Sequence, residues 1–381
     1  MAASFLSSCP CAFERAMSLA RIEWQQLRNL ETGRWQPGPG LNLIQGENGS
    51  GKSSLLECVY LLGRARSFQT TRVHQVIRHD QAEAQVSGVV VDRPGFRHTL
   101  GIRVKRGERE LLLNGIRPAS SVELLKTFPV LVITPNSTAL LGEGPKRRRQ
   151  FLDFGVFHHH ADFLDTWRRY MKVLGHRNRL LREKRIRELS PWDQELDRYG
   201  TVVMQAREQY AERLQPLFKA TAQRFLPGLN RLELKTSAGW PGQKSLHQVL
   251  QDEIQTDMRQ GYTQSGPHRG DFSLHVEGRS ARSYLSRGQT KLLVYALLLA
   301  QSRLMEHTDN PYPGCLLIDD LASELDERNR YRLLDFLAEQ PTQCFITSVD
   351  TTGFTRHISE RICLNQGRIR TDIIQSSQEN T

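Results

Sequence analysis

Gly46-Glu47-Asn48-Gly49-Ser50-Gly51-Lys52-Ser53 is the stretch on which the fold turns. It spells G-x-x-x-x-G-K-S, the phosphate-binding P-loop pattern. Gly40 to Ile44 (GLNLI) reads as a short strand running into the loop, and Ser53 to Leu62 (SSLLECVYLL) as a helix leaving it. The glycines let backbone N–H groups close around a phosphate chain. The helix N-terminus adds its partial positive charge. In that frame Lys52 reaches the β- and γ-phosphates of ATP, and the Ser53 hydroxyl ligates Mg²⁺. The plain alternative, a glycine-rich turn that merely caps a helix, leaves the combined strand, loop and helix unexplained.

Three further motifs follow in order near the C-terminal end. Leu285-Ser286-Arg287-Gly288-Gln289 precedes a helical stretch from about Thr290 to Met305. Its Ser-x-x-Gln spacing is minimally a capping box. Functionally, Ser286, Arg287, Gly288 and Gln289 fit an ABC-type signature loop, which uses the helix N-terminus to grip a γ-phosphate. Cys315-Leu316-Leu317-Ile318 is an apolar run suited to a central parallel strand, and Asp319-Asp320 stands at its end. Carboxylates at such strand ends lie where open α/β sheets place ligands. Asp319 takes the Walker B position, holding Mg²⁺ through water, and Asp320 the position of a catalytic base. Ser323-Glu324-Leu325-Asp326 matches a D-loop, with Ser323 and Asp326 as its site residues. Each motif is weak alone; their order behind one P-loop is not.

A signature loop of this class completes the site of a second copy rather than its own. An ATP-dependent homodimer, released by hydrolysis, is therefore expected. About 230 residues separate P-loop and signature, room for an inserted element. Lys146-Arg147-Arg148-Arg149 opens such a region, helical and basic. From Trp167 to Glu188 there are nine Lys or Arg against two Glu. Trp167, Tyr170, Met171, Leu174, Leu180 and Leu181 recur at roughly helical spacing, and Leu196, Tyr199, Val203, Ala206, Tyr210 and Leu214 form a second stripe. A charge run is usually the solvated face of a helical hairpin. The sign bias here points further, with Arg177, Arg179, Arg182, Lys184 and Arg185 as candidate DNA contacts.

The chain of 381 residues carries a net charge of +11, which favours a polyanionic partner. No stretch approaches the roughly 20 apolar residues of a membrane span. Six cysteines at positions 9, 11, 58, 315, 344 and 363 form no disulfide frame or zinc set, so a cytoplasmic setting is expected. His158-His159-His160 looks like a metal patch, but consecutive positions point in different directions and chelate poorly.

The fold class expected is α/β: an ABC-type P-loop ATPase head of mixed sheets around a P-loop helix, with an inserted helical arm. The head spans residues 17–135 plus 262–374 and the basic arm 136–261, with extensions of no fixed fold at 1–16 and 375–381. Met17 is a possible alternative start.

At this point the chain resembles the RecF family of bacterial recombination and gap-repair ATPases. The resemblance rests on Arg28-Asn29-Leu30, Gly46 to Glu57, Arg66-Ser67-Phe68, Pro145 to Asp153, Gly266-Pro267-His268-Arg269, Leu285 to Gln289 and Ile318 to Asp326. SRGQ and IDDLASELD are the specific parts, because other ABC ATPases usually carry two glycines after the signature Ser and Asp-Glu at Walker B. It implies an SMC-like head, slow DNA-stimulated ATP hydrolysis, and ATP-dependent dimerisation on duplex DNA and single-strand/duplex junctions. It also implies work with RecR and RecO to bring RecA to single-stranded gaps, a link to the SOS response, and a nucleoid-associated location. Two departures from the ABC pattern stand out. Thr134-Pro135-Asn136 offers no Q-loop glutamine, and Thr347 and Ser348 occupy the place of a switch histidine. The competing readings are an ABC-transporter nucleotide-binding subunit, which places the signature much nearer the P-loop and lacks a basic arm, and a P-loop kinase or GTPase, in which LSRGQ has no role.

Overall fold

The computed structural model describes residues 18–92, 94–306, 314–320, 325–350 and 358–370. The expected extensions at 1–16 and 375–381 and the D-loop Ser323 lie outside them. The chain divides into two compact units, one of residues 1–135 with 311–381 and one of residues 136–310.

The first unit is built around the P-loop helix, Lys52–Arg64. Eleven of its thirteen residues are buried, on every face of the helix. A helix that is apolar all round needs cover on all sides, and two sheets supply it. One is a five-stranded antiparallel sheet ordered Gly33–Trp35, Ser18–Gln25, Glu83–Val91, Arg97–Lys105, Glu108–Leu113. Its Leu19, Ile22 and Trp24 share one core with Leu55, Leu56 and Val59 of the helix. The other is a six-stranded sheet ordered Arg368–Arg370, Ile358–Asn365, Leu41–Gln45, Gln343–Ser348, Cys315–Ile318, Val130–Ile133. Its Ile44, Leu317 and Phe345 line the same core from the opposite side of the helix. All of its pairings but the terminal hairpin are parallel. Parallel strands covered on both faces read as unbroken apolar runs, and Cys315–Ile318 and Gln343–Ser348 are buried at every position. The sheet brings the ends of Leu41–Gln45, Cys315–Ile318 and Gln343–Ser348 side by side, which creates the site.

The second unit holds a helix at Pro145–His159, a long helix pair at Phe163–Arg182 and Ser190–Phe225, a three-stranded antiparallel sheet, and a helix at Arg287–Glu306. Pro191 sits in the first turn of the second long helix, where its missing N–H costs nothing. Trp167, Tyr170 and Leu174 of the first apolar stripe pack with Leu196 and Tyr199 of the second, while Met171 is exposed and Tyr210 turns to Gly155 and Gln301. Residues 262–310, expected with the head, cluster instead with the arm. The cause is packing: the Arg287–Glu306 helix lies along Ser190–Phe225. Its Gln301 donates to the Phe151 carbonyl at 3.0 Å and to the Tyr210 hydroxyl at 2.9 Å.

Candidate nucleotide-binding site

The P-loop leaves its strand at Gly46 and enters its helix at Gly51, which has φ 107°. The backbone conformation favours glycine there, and a β-carbon would also stand 2.8 Å from Leu30 Cδ2 and push that side chain aside. Asn29 braces the loop, donating to the Gly49 carbonyl at 2.7 Å and accepting from Ser54 Oγ at 2.9 Å. One turn into the helix, buried Glu57 takes a two-pronged bond from Arg28 at 2.7 and 3.0 Å and a further one from the Ser67 hydroxyl. These contacts explain why Arg28-Asn29 and Ser67 accompany the loop; in the sequence they were visible only as parts of a family pattern, without a role.

Lys52 is 7% exposed, and its ammonium donates to the carbonyls of Gly46 at 2.7 Å and Glu47 at 2.8 Å. Burial lowers its pKa, while Asp320 and Asp319 pull it back up. The cation is therefore held over the loop on exchangeable carbonyl bonds, where phosphate oxygens can replace them.

Ser53 Oγ donates to Asp319 Oδ1 at 2.8 Å, so the P-loop and the strand Cys315–Ile318 meet as the motifs require. Asp319 has a second partner that sequence reasoning missed. Thr347 Oγ1 donates to the same Oδ1 at 2.8 Å and accepts from the Asp320 N–H at 2.7 Å. The signal was present, since Thr347 had been placed where a switch histidine would stand, but register between parallel strands was needed to aim it. Asp320 has φ 54°, a left-handed conformation that Asp tolerates better than most residues. The Thr347 bond fixes the turn that produces it. Burial raises the Asp319 carboxyl above its ordinary range; the two hydroxyls and Lys52 oppose the rise and Asp320 adds to it.

Hard oxygen donors from Ser53 and Asp319 converge on one point, which fits Mg²⁺. That ion keeps most of its shell for waters and phosphate oxygens, so few protein ligands suffice. Accordingly, no cluster of three His, Cys, Asp or Glu able to hold a metal occurs among the described residues. His158 meets the rings of Phe154 and Phe157 edge-on, while His159 turns to Tyr210.

In the second unit, Ser286 and Gln289 make the full reciprocal capping box: Ser286 Oγ accepts from the Gln289 N–H at 3.3 Å and Gln289 Oε1 from the Ser286 N–H at 3.0 Å. Arg287 and Gly288 are exposed in the first turn of the helix they open. Asp326 caps the helix Glu327–Ala338 through the Asn329 N–H at 2.8 Å.

One candidate DNA contact is corrected. Arg177 is fully buried and bonded to Asp193 and Asp257 at 2.6 Å each and to Thr263 Oγ1 at 2.9 Å, so it cannot meet a phosphate. It ties the long helices to the Ile254–Gln260 helix. Arg179, Arg182, Lys184 and Arg185 are exposed, with Arg185 paired to Glu183 and Glu188.

Comparison with known proteins decides the family. A model of the RecF/RecN/SMC N terminal domain matches residues 18–366. A DNA replication and repair protein RecF of Shewanella pealeana is 37% identical over 359 residues, 93% of this chain and 99% of its own. The chain belongs to the RecF family. A RecF of Shewanella denitrificans is 40% identical over 336 residues, 88% of this chain and 92% of its own. A solved structure of the recombination mediator protein RecF-ATPrS in the RecFOR pathway superposes with TM-score 0.79 at 27% identity, covering 93% of this chain and 98% of that one. A Smc head domain from Pyrococcus furiosus, at TM-score 0.59 and 15% identity over 93% of this chain and 95% of its own, shares the fold. With RecF and Smc heads as neighbours, the fold is that of an α/β ABC-type ATPase.

Proposed function

We propose that this RecF-family chain is an ATP-driven DNA-binding protein of replication and recombinational repair. The observation that carries the reading is the meeting of Ser53 and Thr347 on Asp319 Oδ1 beside the P-loop, with Lys52 within the field of Asp319 and Asp320. Residues Gly46 to Ser53 wrap the phosphates of ATP, and Lys52 exchanges its carbonyl partners for β- and γ-phosphate oxygens. Ser53 and Asp319 hold Mg²⁺, which when bound offsets phosphate charge. Asp320 orients and deprotonates the attacking water, and Thr347 sets its backbone.

The capped loop at Ser286, Arg287, Gly288 and Gln289 closes over ATP bound by a second copy, with Ser323 and Asp326 at the same seam. Its exposed, pre-formed helix N-terminus supports that use, since such a terminus favours an anion. ATP then joins the dimer and slow, DNA-stimulated hydrolysis releases it. The DNA is duplex or a single-strand/duplex junction. Arg179, Arg182, Lys184 and Arg185 contact its phosphates, a role consistent with the net charge of +11. By its family the protein acts with RecR and RecO to bring RecA to gaps, contributes to SOS induction, and works in the cytoplasm at the nucleoid. Turnover of ATP measured with and without gapped duplex, plus and minus RecR, tests this. Stimulation by gapped duplex is the expected result; turnover indifferent to DNA would overturn it.

A further inference from the structure

The Gly266-Pro267-His268-Arg269-Gly270 loop of the second unit has no part in the nucleotide site, yet it is heavily built. Pro267 offers its carbonyl to Arg207 at 2.6 Å and Gly270 offers its own to Arg149 at 2.9 Å. His268 donates from Nε2 to the Thr263 carbonyl at 3.2 Å and accepts at Nδ1 from the Tyr170 hydroxyl at 2.6 Å. Gly266, at φ 136°, packs so closely on Tyr170 that a β-carbon would stand 2.4 Å from its hydroxyl.

What this scaffold presents is a pair of arginines with no ion pair of their own. Arg207 occupies both oxygens of Asp153, at 2.8 and 3.0 Å. Arg148 occupies both oxygens of Asp271, at 2.7 and 2.9 Å. The nearby acids are thus spent. Arg149 and Arg269 have no carboxylate partner among the described residues. Arg269 is exposed, its guanidinium laid 5.2 Å over the exposed ring of Tyr262. Arg149 is half-buried, and its pKa is lowered by burial and by the neighbouring Arg207, with Asp271 and Asp153 opposing the drop and Arg269 adding to it. Arg149, on the Pro145–His159 helix, is bonded to the carbonyl of the residue that follows Arg269, so the two guanidiniums are brought to one place and their like charge favours an anion there. A pair of fixed guanidinium forks suits phosphate oxygens.

We propose, building on the DNA-binding reading above, that Arg149 and Arg269 form a phosphate-contact patch for the backbone of duplex DNA, in addition to Arg179, Arg182, Lys184 and Arg185. The patch reads charge and spacing, not base sequence.

The test is fluorescence anisotropy of a labelled duplex with the full chain, ATP and Mg²⁺, over a salt series. Each phosphate contact contributes about 0.9 to the slope of log affinity against log salt. Arg269→Gln, at an exposed position, is expected to lower that slope by about 0.9, and Arg149→Gln with Arg269→Gln by about 1.8. Arg269→Lys keeps the slope. The control Arg198→Gln removes an exposed arginine already paired to Glu195 and leaves the slope at wild type. Fluorescent-nucleotide affinity and ATP-dependent pairing stay at wild-type values in all four. An unchanged slope in the double variant, while wild type binds duplex, overturns the patch and leaves the DNA reading standing. Loss of nucleotide affinity or pairing with an unchanged DNA slope overturns it in favour of nucleotide phosphate. Failure of wild type to bind duplex at all overturns the DNA reading, and the patch with it.

Discussion

Thr347→Val removes one oxygen and keeps the shape of a residue with no solvent exposure. Two bonds vanish: the 2.8 Å donation to Asp319 and the 2.7 Å acceptance from the Asp320 N–H. A hydrogen bond to a charged group contributes about 1.5–3 kcal/mol, and a buried donor left without a partner costs about 1–3 kcal/mol. Partial relaxation and protonation of Asp319 recover some of this, so a loss of about 2–4 kcal/mol in folding free energy is expected. Chemistry suffers with it. Thr347 is one of the groups opposing the burial-driven rise of the Asp319 pKa, so its removal drives that carboxyl further toward the neutral acid, a poorer Mg²⁺ partner. Turnover should fall most at the acid end of the working range and recover partly as pH rises. Thr347→Ser, which keeps the hydroxyl, should retain most activity. Guanidinium denaturation gives the stability term and a pH profile of ATP turnover the chemical one. A valine variant with wild-type stability and an unshifted profile would refute the positioning role.

Lys52→Ala removes the cation held over Gly46 and Glu47; ATP affinity, read by fluorescent-nucleotide titration of the folded variant, should drop sharply along with ATP-dependent DNA binding. Arg177→Leu strands two buried carboxylates, Asp193 and Asp257. A loss of about 3–5 kcal/mol by chemical denaturation is expected, with the salt slope of any DNA binding by the surviving fold unchanged. His268 is held neutral by burial, its pKa down at about 4 from 6.5, with Arg269, Arg149 and Arg207 adding to the drop. A depressed folded-state pKa means that the unfolded chain binds the proton first. The associated stability is present above pH 6.5 and is lost as pH falls toward 4, at most about 3 kcal/mol. Chemical denaturation at pH 7.5 and 4.5 should therefore show a smaller acid loss in His268→Gln than in wild type.

The P-loop, the Walker B strand and the signature cap were legible because each depends on neighbours in sequence. Glycine spacing sets the loop, an apolar run sets Cys315–Ile318, and Ser-x-x-Gln sets the cap seen at Ser286. Arg177 was misread because periodicity showed a basic helix without showing that Asp193 and Asp257, 16 and 80 residues away, would close over it. Residues 262–310 cluster with the arm for a related reason. They were expected with the head, but the Arg287–Glu306 helix packs along Ser190–Phe225, a partner no local pattern names. Thr347 shows the intermediate case: its position was noticed, but its aim depends on the pairing of Ile318 with Ile346 in the sheet.

On the reading proposed above, Ser286 acts on nucleotide held by a second copy. Its most direct test is sedimentation with ATP and Mg²⁺ of Ser286→Arg, alone and mixed with Lys52→Ala. If the loop serves only as a cap, the substitution costs about 1 kcal/mol and leaves pairing intact. The trans arrangement predicts a monomer that still binds one ATP through its untouched Gly46 to Ser53. It also predicts partial recovery of the dimer in the mixture, where one composite site is damaged twice and the other is whole. A Ser286→Arg chain that dimerises and hydrolyses ATP like wild type would contradict the account.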